Sequence, residues 1–407
     1  MAFFLPVLEA QVAPCRLEED AATHWGLGRT HWKPLGAGHG AQKHYLQDQL
    51  VNSSVCGHGR IVPREHARHP VLDGESRLAS SLWIDEPDAQ AVLQQAQREG
   101  TVSGVEAAAL SHFIANGWMV VDLGLGKDAT QAVDQFFLDA WHRRPKELLA
   151  KHDTVHAGVP TPTSHFPADW VDPMTGLPRQ AGTKILEAHS HSKVLGSLLS
   201  HPKLFRMVEL ILNDVAVATQ SLLFSHGSQQ GLHRDPWFVP TNPASTMLAS
   251  WIALEDISPN SGPLAFISSS HRLPWSLLDG TGDILFADAS PLAIEKHKRR
   301  LFQKVENKRL KVQHFVPRRG EAILWHAGLI HGGSDVKDAN ETRKSFVVHY
   351  DKLRNHPTKT TGFRTSSDVP VGGVKCERIH ENHCMYAFLD PMLCDLSFPD
   401  LQGPSLG

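Results

Sequence analysis

The triplet His233-Arg234-Asp235 carries the chemistry that the rest of the chain must serve. In an extended strand, side chains two apart point to the same side, so an imidazole and a carboxylate at this spacing can hold one metal ion. A third protein ligand must come from elsewhere, and the best candidate is His331 in Ile330-His331-Gly332-Gly333, at the end of an apolar run. Two histidines and a carboxylate on one face of a divalent ion leave the opposite face open, the arrangement of non-haem Fe(II) oxygenases. The triplet alone proves little, because a chain with 26 His and 43 Asp plus Glu produces it by chance. A second copy, His349-Tyr350-Asp351, has no apolar strand ending in histidine downstream and is rejected as a ligand pair. His326 competes with His331, but five residues apart on one strand they face opposite sides. Gly332 and Gly333 permit close approach, which favours His331.

The elements that must position these residues are legible from residue 103 onward. Ser103-x-x-Glu106 is a capping box that opens a helix through about Asn116, and Gly117 stops it before a strand at Trp118 to Val121. A short helix is expected over Asp88 to Arg98, a second long one near Thr130 to His142, and another over Ser192 to about Asn213. Between about 150 and 192 the chain reads as a long loop rich in Pro, Gly and His, including His165 and His189, which is expected to shape a substrate entrance. Strand-like runs follow at Val217 to Phe224, Met247 to Leu254, Pro263 to Ile267, Gln313 to Pro317, Glu321 to Ile330 and Ser345 to Tyr350. A charged helix interrupts them over Pro291 to Val305. Short strands bounded by turn residues are the pattern of an all-β sandwich or barrel. Beyond Asp351 the chain reads as irregular, with Cys376, His380, His383 and Cys384 close together in a spacing that fits no standard zinc pattern.

Composition narrows the function classes. The 407-residue chain is 41% hydrophobic and 20% charged, with a net charge of -3, which describes an ordinary globular protein without the basic stripe of a nucleic-acid binder. Five cysteines without C-x-x-C spacing indicate neither a disulfide framework nor a zinc ribbon. The apolar stretch Met1 to Leu8 is too short for a signal sequence, and no window approaches a membrane span. The expectation is a cytoplasmic enzyme with a small-molecule partner and no nucleic-acid or membrane partner.

Further features align around the triplet: Ser250-Trp251-Ile252-Ala253-Leu254-Glu255-Asp256, Asn260-Ser261-Gly262-Pro263, Ser269-Ser270-His271, Gly320-Glu321-Ala322-Ile323-Leu324-Trp325-His326, and Arg343 twelve residues past His331. In this order, residues about 105 to 352 resemble the phytanoyl-CoA dioxygenase family of Fe(II)- and 2-oxoglutarate-dependent oxygenases. The resemblance implies a mainly β fold with flanking helices, a double-stranded β-helix of the jelly-roll, cupin-like kind. It divides the chain into an N-terminal extension at 1–102, an oxygenase domain at 103–352 and a C-terminal extension at 353–407. It assigns His233, Asp235 and His331 to iron, Arg343 to the distal carboxylate of 2-oxoglutarate, and Trp251 to the cosubstrate pocket, with O2 as the second cosubstrate. Gln220 is a candidate for a further cosubstrate hydrogen bond, and Trp237, His165 and His189 are candidates for substrate contact. Gly333 departs from the family, standing where a hydroxyl residue often helps bind the cosubstrate carboxylate. A carboxylate at 235 implies hydroxylation of an unactivated C–H rather than halogenation. The alternatives are a cupin-like metal-dependent hydrolase or isomerase, and a non-catalytic ligand-binding jelly roll. Neither explains Arg343, whose guanidinium can grip a carboxylate with two hydrogen bonds.

Overall fold

The computed structural model describes residues 82–352, apart from 153–159, 179, 215, 240–243, 279–285 and 287–288, together with the strand backbone of 374–380 and 383–388. Two helices come first, α1 (Ala89–Arg98) and α2 (Gly104–Asn116). Ser103 Oγ accepts the Glu106 N–H at 3.2 Å while the Glu106 carboxylate accepts the Ser103 N–H at 2.7 Å, closing the capping box. Gly117 ends α2 in left-handed backbone at φ 80°, packed so closely on His271 that a side chain there would collide with it.

The chain continues through β1 (Trp118–Asp122), α3 (Lys127–Arg143), β2 (Leu149–Lys151), β3 (Thr161–Pro162), β4 (Lys184–Leu186), α4 (Lys193–Leu199) and α5 (Pro202–Leu212). The single helix expected over 192–213 is thus two. Pro202 has no N–H to continue the first helix and instead occupies the first turn of a new one. The expected loop at 150–192 is also partly ordered, since β2 pairs antiparallel with both β3 and β4.

The remaining elements are β5 (Ala216–Phe224), β6 (Leu248–Ala253), β7 (Leu264–Ile267), α6 (Pro291–Asn307), β8 (Val312–Phe315), β9 (Glu321–His326), β10 (Ile330–Gly333), β11 (Ser345–Lys352), β12 (Val374–His380) and β13 (His383–Phe388). The larger sheet runs β1-β9-β6-β11-β5-β4-β2-β3, with β13 pairing with β5 and β12, and the smaller runs β10-β7-β8. The run from Glu321 to Ile330 therefore serves both sheets, crossing between them at Ala327-Gly328-Leu329. The segment beyond Asp351, expected to be irregular, contains the antiparallel pair β12 and β13. The side chains of Cys376, His380, His383 and Cys384 lie outside the described residues, as do residues 1–81.

Strand alternation sorts the apolar residues into two cores. Leu222, Phe224, Trp251, Ile323, Trp325 and Val347 face the small sheet and pack with Leu264, Phe266 and Phe315. Leu223, Ile252, Leu324, Phe346 and Val348 face the other way and share a core with Phe137, Leu204 and Val208 of the helices. Leu93 and Ala96 of α1 join this second core, so the packed unit reaches back past residue 103. Two antiparallel sheets face to face with helices over one of them make the expected jelly roll.

On the helix side, Glu187 clamps β5 at Ser221. It takes left-handed backbone at φ 49°, donates its N–H to Ser221 O at 3.0 Å and accepts the Ser221 N–H on its carboxyl at 3.2 Å. His189 Nδ1 lies 2.7 Å from Ser221 Oγ. Burial raises the Glu187 carboxyl from 4.5 to about 8 against the Ser221 hydrogen bond, and lowers His189 to about 3. The folded protein therefore holds a proton on Glu187 that the unfolded chain releases above about pH 4.5, so this group makes stability fall as pH rises toward 8. Glu187→Gln keeps the hydrogen-bonding shape and removes that linkage. Urea unfolding at pH 5 through 8 should show the wild type losing about 1.4 kcal/mol per pH unit relative to the variant, and parallel curves would refute the buried neutral carboxyl.

Candidate metal centre

Main-chain hydrogen bonds bring the two histidines together. His233 N–H donates to His331 O at 2.8 Å and His331 N–H donates back to His233 O at 3.0 Å, an isolated antiparallel bridge that adds residue 233 beside β10. Directly opposed residues of such a pair project to the same side, and the two imidazole centroids lie 4.5 Å apart. The approach demands glycine at 332, where a Cβ would sit 2.6 Å from Gln230 O.

Each imidazole is turned by a second carbonyl contact. His233 Nδ1 lies 2.9 Å from Gly231 O, and His331 Nδ1 lies 3.0 Å from Leu329 O. An Nδ1–H donating to a carbonyl leaves Nε2 as the free ligand atom, and both Nε2 atoms face Asp235 Oδ1, at 3.7 and 3.2 Å. The other Asp235 oxygen, Oδ2, accepts the Trp325 indole N–H at 2.8 Å. Burial works to raise the Asp235 carboxyl, but the charge of His331 and hydrogen bonds from His233, His331 and His349 hold it well below the usual carboxylate range. Asp235 in turn raises His331 against burial, whereas burial and the His331 charge lower His233. The three ligand atoms lie within 4.8 Å of one another in buried surroundings, a donor set that fits a ferrous ion.

Arg234, between the ligands, faces away as alternation requires. Its Nη2 donates to Ser270 O and Leu273 O, both at 3.0 Å, and its guanidinium lies 4.6 Å from the Trp275 ring centroid. His326 faces the helix side, where its Nε2 lies 3.3 Å from Asp85 Oδ2, far from the role of third ligand. His349 is the surprise: as part of a His-x-Asp pair it was discounted, yet it stands alone beside the centre with Nε2 3.5 Å from Asp235 Oδ1. Gln220, its cross-strand partner, shares its face of the sheet.

A second polar cluster surrounds Arg343. The guanidinium is 1% exposed, gives Nη1 to Gly262 O at 2.9 Å, and lies 5.6 Å from the ring centroids of Trp251 and Phe224. No carboxylate pairs with it among the described residues, while Arg343 Nε, Trp251 Nε1 and Ser345 Oγ are buried without hydrogen-bond partners. Ser345 and His349 share the inner face of β11, so this cluster and the triad look into one space. Clustered orphan donors around a buried cation fit an anionic ligand such as 2-oxoglutarate. At Gly333, the position without the expected hydroxyl, a Cβ would lie 2.2 Å from Ser228 Oγ, so the Ser228 hydroxyl fills the place a side chain would take.

The substrate candidates are scattered. Trp237 is 1% exposed and stacks on Phe286 with centroids 4.7 Å apart, so it is core rather than wall. Its neighbour Phe238 is 37% exposed, with its ring 5.3 Å from that of His233. His189 bonds Ser221 on the helix side of the sheet, the face opposite the triad, and His165 is exposed in the turn Thr163–His165 with no bond or ring contact to the triad. Trp325, His349, Ser345 and Phe238 were not singled out as site residues. Alternation along β9 and β11 puts the first three on the inner face, but only the tertiary fold shows which of them meets Asp235. Equilibrium dialysis with Co(II) separates the two histidines within residues 321–331. His331→Ala should lose stoichiometric binding and His326→Ala should retain it, and the reverse pattern would reassign the third ligand.

A family model described as phytanoyl-CoA dioxygenase (PhyH) matches residues 127–345, just over half of the 407-residue chain. Phytanoyl-CoA dioxygenase domain-containing protein 1 of Mus musculus is 28% identical over 189 residues, covering 42% of this chain and 58% of that protein. The peroxisomal phytanoyl-CoA dioxygenase of Bos taurus is 24% identical over 167 residues, covering 38% and 45%. The chain therefore spans about half the length of these curated relatives. Among solved structures, EctD from S. alaskensis with 2-oxoglutarate and 5-hydroxyectoine aligns at a TM-score of 0.40 and 20% identity, covering 62% of this chain and 77% of that one. Matched over more than half its length, in a range that includes His233, Asp235 and His331, the chain belongs to the phytanoyl-CoA dioxygenase (PhyH) family.

Proposed function

We propose that the protein is an Fe(II)- and 2-oxoglutarate-dependent dioxygenase that hydroxylates an unactivated C–H of a small-molecule metabolite, releasing succinate and CO2. The observation that carries this reading is Arg343, a buried cation with no carboxylate partner among the described residues, ringed by unpartnered donors and opening on the same space as the His-Asp-His triad. A cupin-like hydrolase or isomerase needs the triad alone.

Iron and 2-oxoglutarate, when bound, supply the power to activate O2 and oxidise the substrate. The protein's own part is binding, orientation and exclusion of water. His233, Asp235 and His331 would hold the ion through three protein atoms, a set that would leave coordination positions for cosubstrate and O2. Arg343, with Trp251 and Ser345, takes the distal carboxylate; Ser228 supplies the hydroxyl that Gly333 lacks, and Gln220 adds a hydrogen bond nearer the metal. Trp251, Phe224 and Val347 wall the interior with apolar surface that strengthens these charged contacts. Phe238 lies against His233 at the more exposed side and is the first candidate to touch substrate. No helix among the described residues is long and apolar enough to cross a membrane.

Anaerobic titration with Fe(II) and 2-oxoglutarate, read by the visible charge-transfer band of the chelate, tests the reading. Wild type should develop the band, and Arg343→Ala should need roughly 100-fold more 2-oxoglutarate. Iron binding without any band at saturating 2-oxoglutarate would overturn the assignment and favour the cupin-like alternative.

A further inference from the structure

We infer that Trp325 is a positioning residue that fixes which oxygen of Asp235 is offered to the metal. The inference rests on His233, Asp235 and His331 holding the ion. A carboxylate turns readily about its Cβ–Cγ bond and can present one oxygen or both. If both bind, the second takes a coordination position that cosubstrate or O2 requires. In this protein the two oxygens have different surroundings. Oδ1 faces the ligand nitrogens of His233 and His331, whereas Oδ2 accepts the Trp325 indole N–H at 2.8 Å. Trp325 is 1% exposed and Asp235 4%, so water does not compete for this charge-assisted hydrogen bond.

The indole is itself fixed. Trp325 lies within β9, between β1 and β6, opposite Trp118 and Ala249. Its ring packs in the sandwich core and lies 4.7 Å, centroid to centroid, from the His331 ring. One side chain on a central strand thus touches two of the three ligands, which come from chain segments almost a hundred residues apart. Phenylalanine at 325 would keep the ring contact with His331 and lose only the donor to Oδ2.

The test compares wild type and Trp325→Phe for Co(II) affinity by dialysis and for the visible Co(II) absorption spectrum, with thermal melting to check the fold. A folded variant that binds Co(II) roughly 10- to 100-fold more weakly, with altered band shape, supports the inference. A folded variant within twofold of wild type and with an unchanged spectrum overturns it, leaving Trp325 as packing. Should the variant fail to fold, tryptophan-selective 15N spectra of the wild-type protein decide the matter. One of the ten tryptophan indole N–H resonances should move with the Zn(II) titration and resist hydrogen exchange. No indole resonance responding to Zn(II) would overturn the inference. Wild type that binds neither Co(II) nor Zn(II) would overturn the metal centre itself and this inference with it, an outcome distinct from a failure of Trp325 alone.

Discussion

The exchange of two main-chain hydrogen bonds between His233 and His331 is the constraint on which the site depends. It joins a loop after β5 to β10, the edge strand of the small sheet, and it sets the ligand rings side by side without any help from the metal. Its geometry reaches outward into the sequence. Glycine is needed at 332 because Gln230 O would meet any Cβ there, and Gly333 N–H adds a further bond to Gln230 O at 2.8 Å. The carbonyls of Gly231 and Leu329 then orient each ring. Metal affinity is thereby prepared by backbone geometry, and the ligands need little reorganisation to bind.

Asp235 is fixed from the other direction. Because Arg234 turns away from the centre and anchors on Ser270 O and Leu273 O, the residues on either side of it must turn inward. Pro236 follows at once and starts the turn Asp235–Trp237, and the buried Trp237 stack holds that turn in place. The packing of Trp237 therefore contributes to the site without lining it. Its exposed neighbour Phe238 inherits the position beside His233.

The local signals in the sequence were read well wherever one residue type decides the outcome. The capping box at Ser103 and Glu106, the stop at Gly117 and the strand run into Phe224 all follow from short-range rules. Boundaries set by a competing residue were harder. Pro202 splits a helix whose apolar spacing runs on through it, and Ala327-Gly328-Leu329 breaks an unbroken apolar run into strands of different sheets. The triad was legible because two of its members lie two residues apart and the third ends an apolar run. His349 and Trp325 were not, because their roles depend on which strands pair across the sandwich. Alternation gives the face of the sheet but not the atom that a side chain meets there. His189 shows the opposite error: a histidine in a segment that looked functional is committed to Ser221 on the far face.

Two buried arginines show how such placements separate structure from binding. Burial lowers both Arg234 and Arg343 to about 9, so each remains charged at neutral pH. Arg234 gives one nitrogen to two carbonyls and has an aromatic ring against it; its bonds tie the segment after β5 to the one after β7, and only its Nε, like that of Arg343, lacks a partner. Arg343 gives one nitrogen to Gly262 O, whose residue sits at φ 78° and is crowded by Val336 and Ser334, while Trp251 Nε1 and Ser345 Oγ nearby also lack partners. Each buried donor left unpaired costs about 1–3 kcal/mol, and a charged one more. A fold that gathers several around one cation keeps a standing demand for an anion at that place. On the proposed function, a ligand with a carboxylate at one end and metal-binding oxygens at the other would meet that demand. Through its inner face, β11 connects the cluster at Arg343 to His349 beside Asp235, so the two ends of such a ligand are served by one strand.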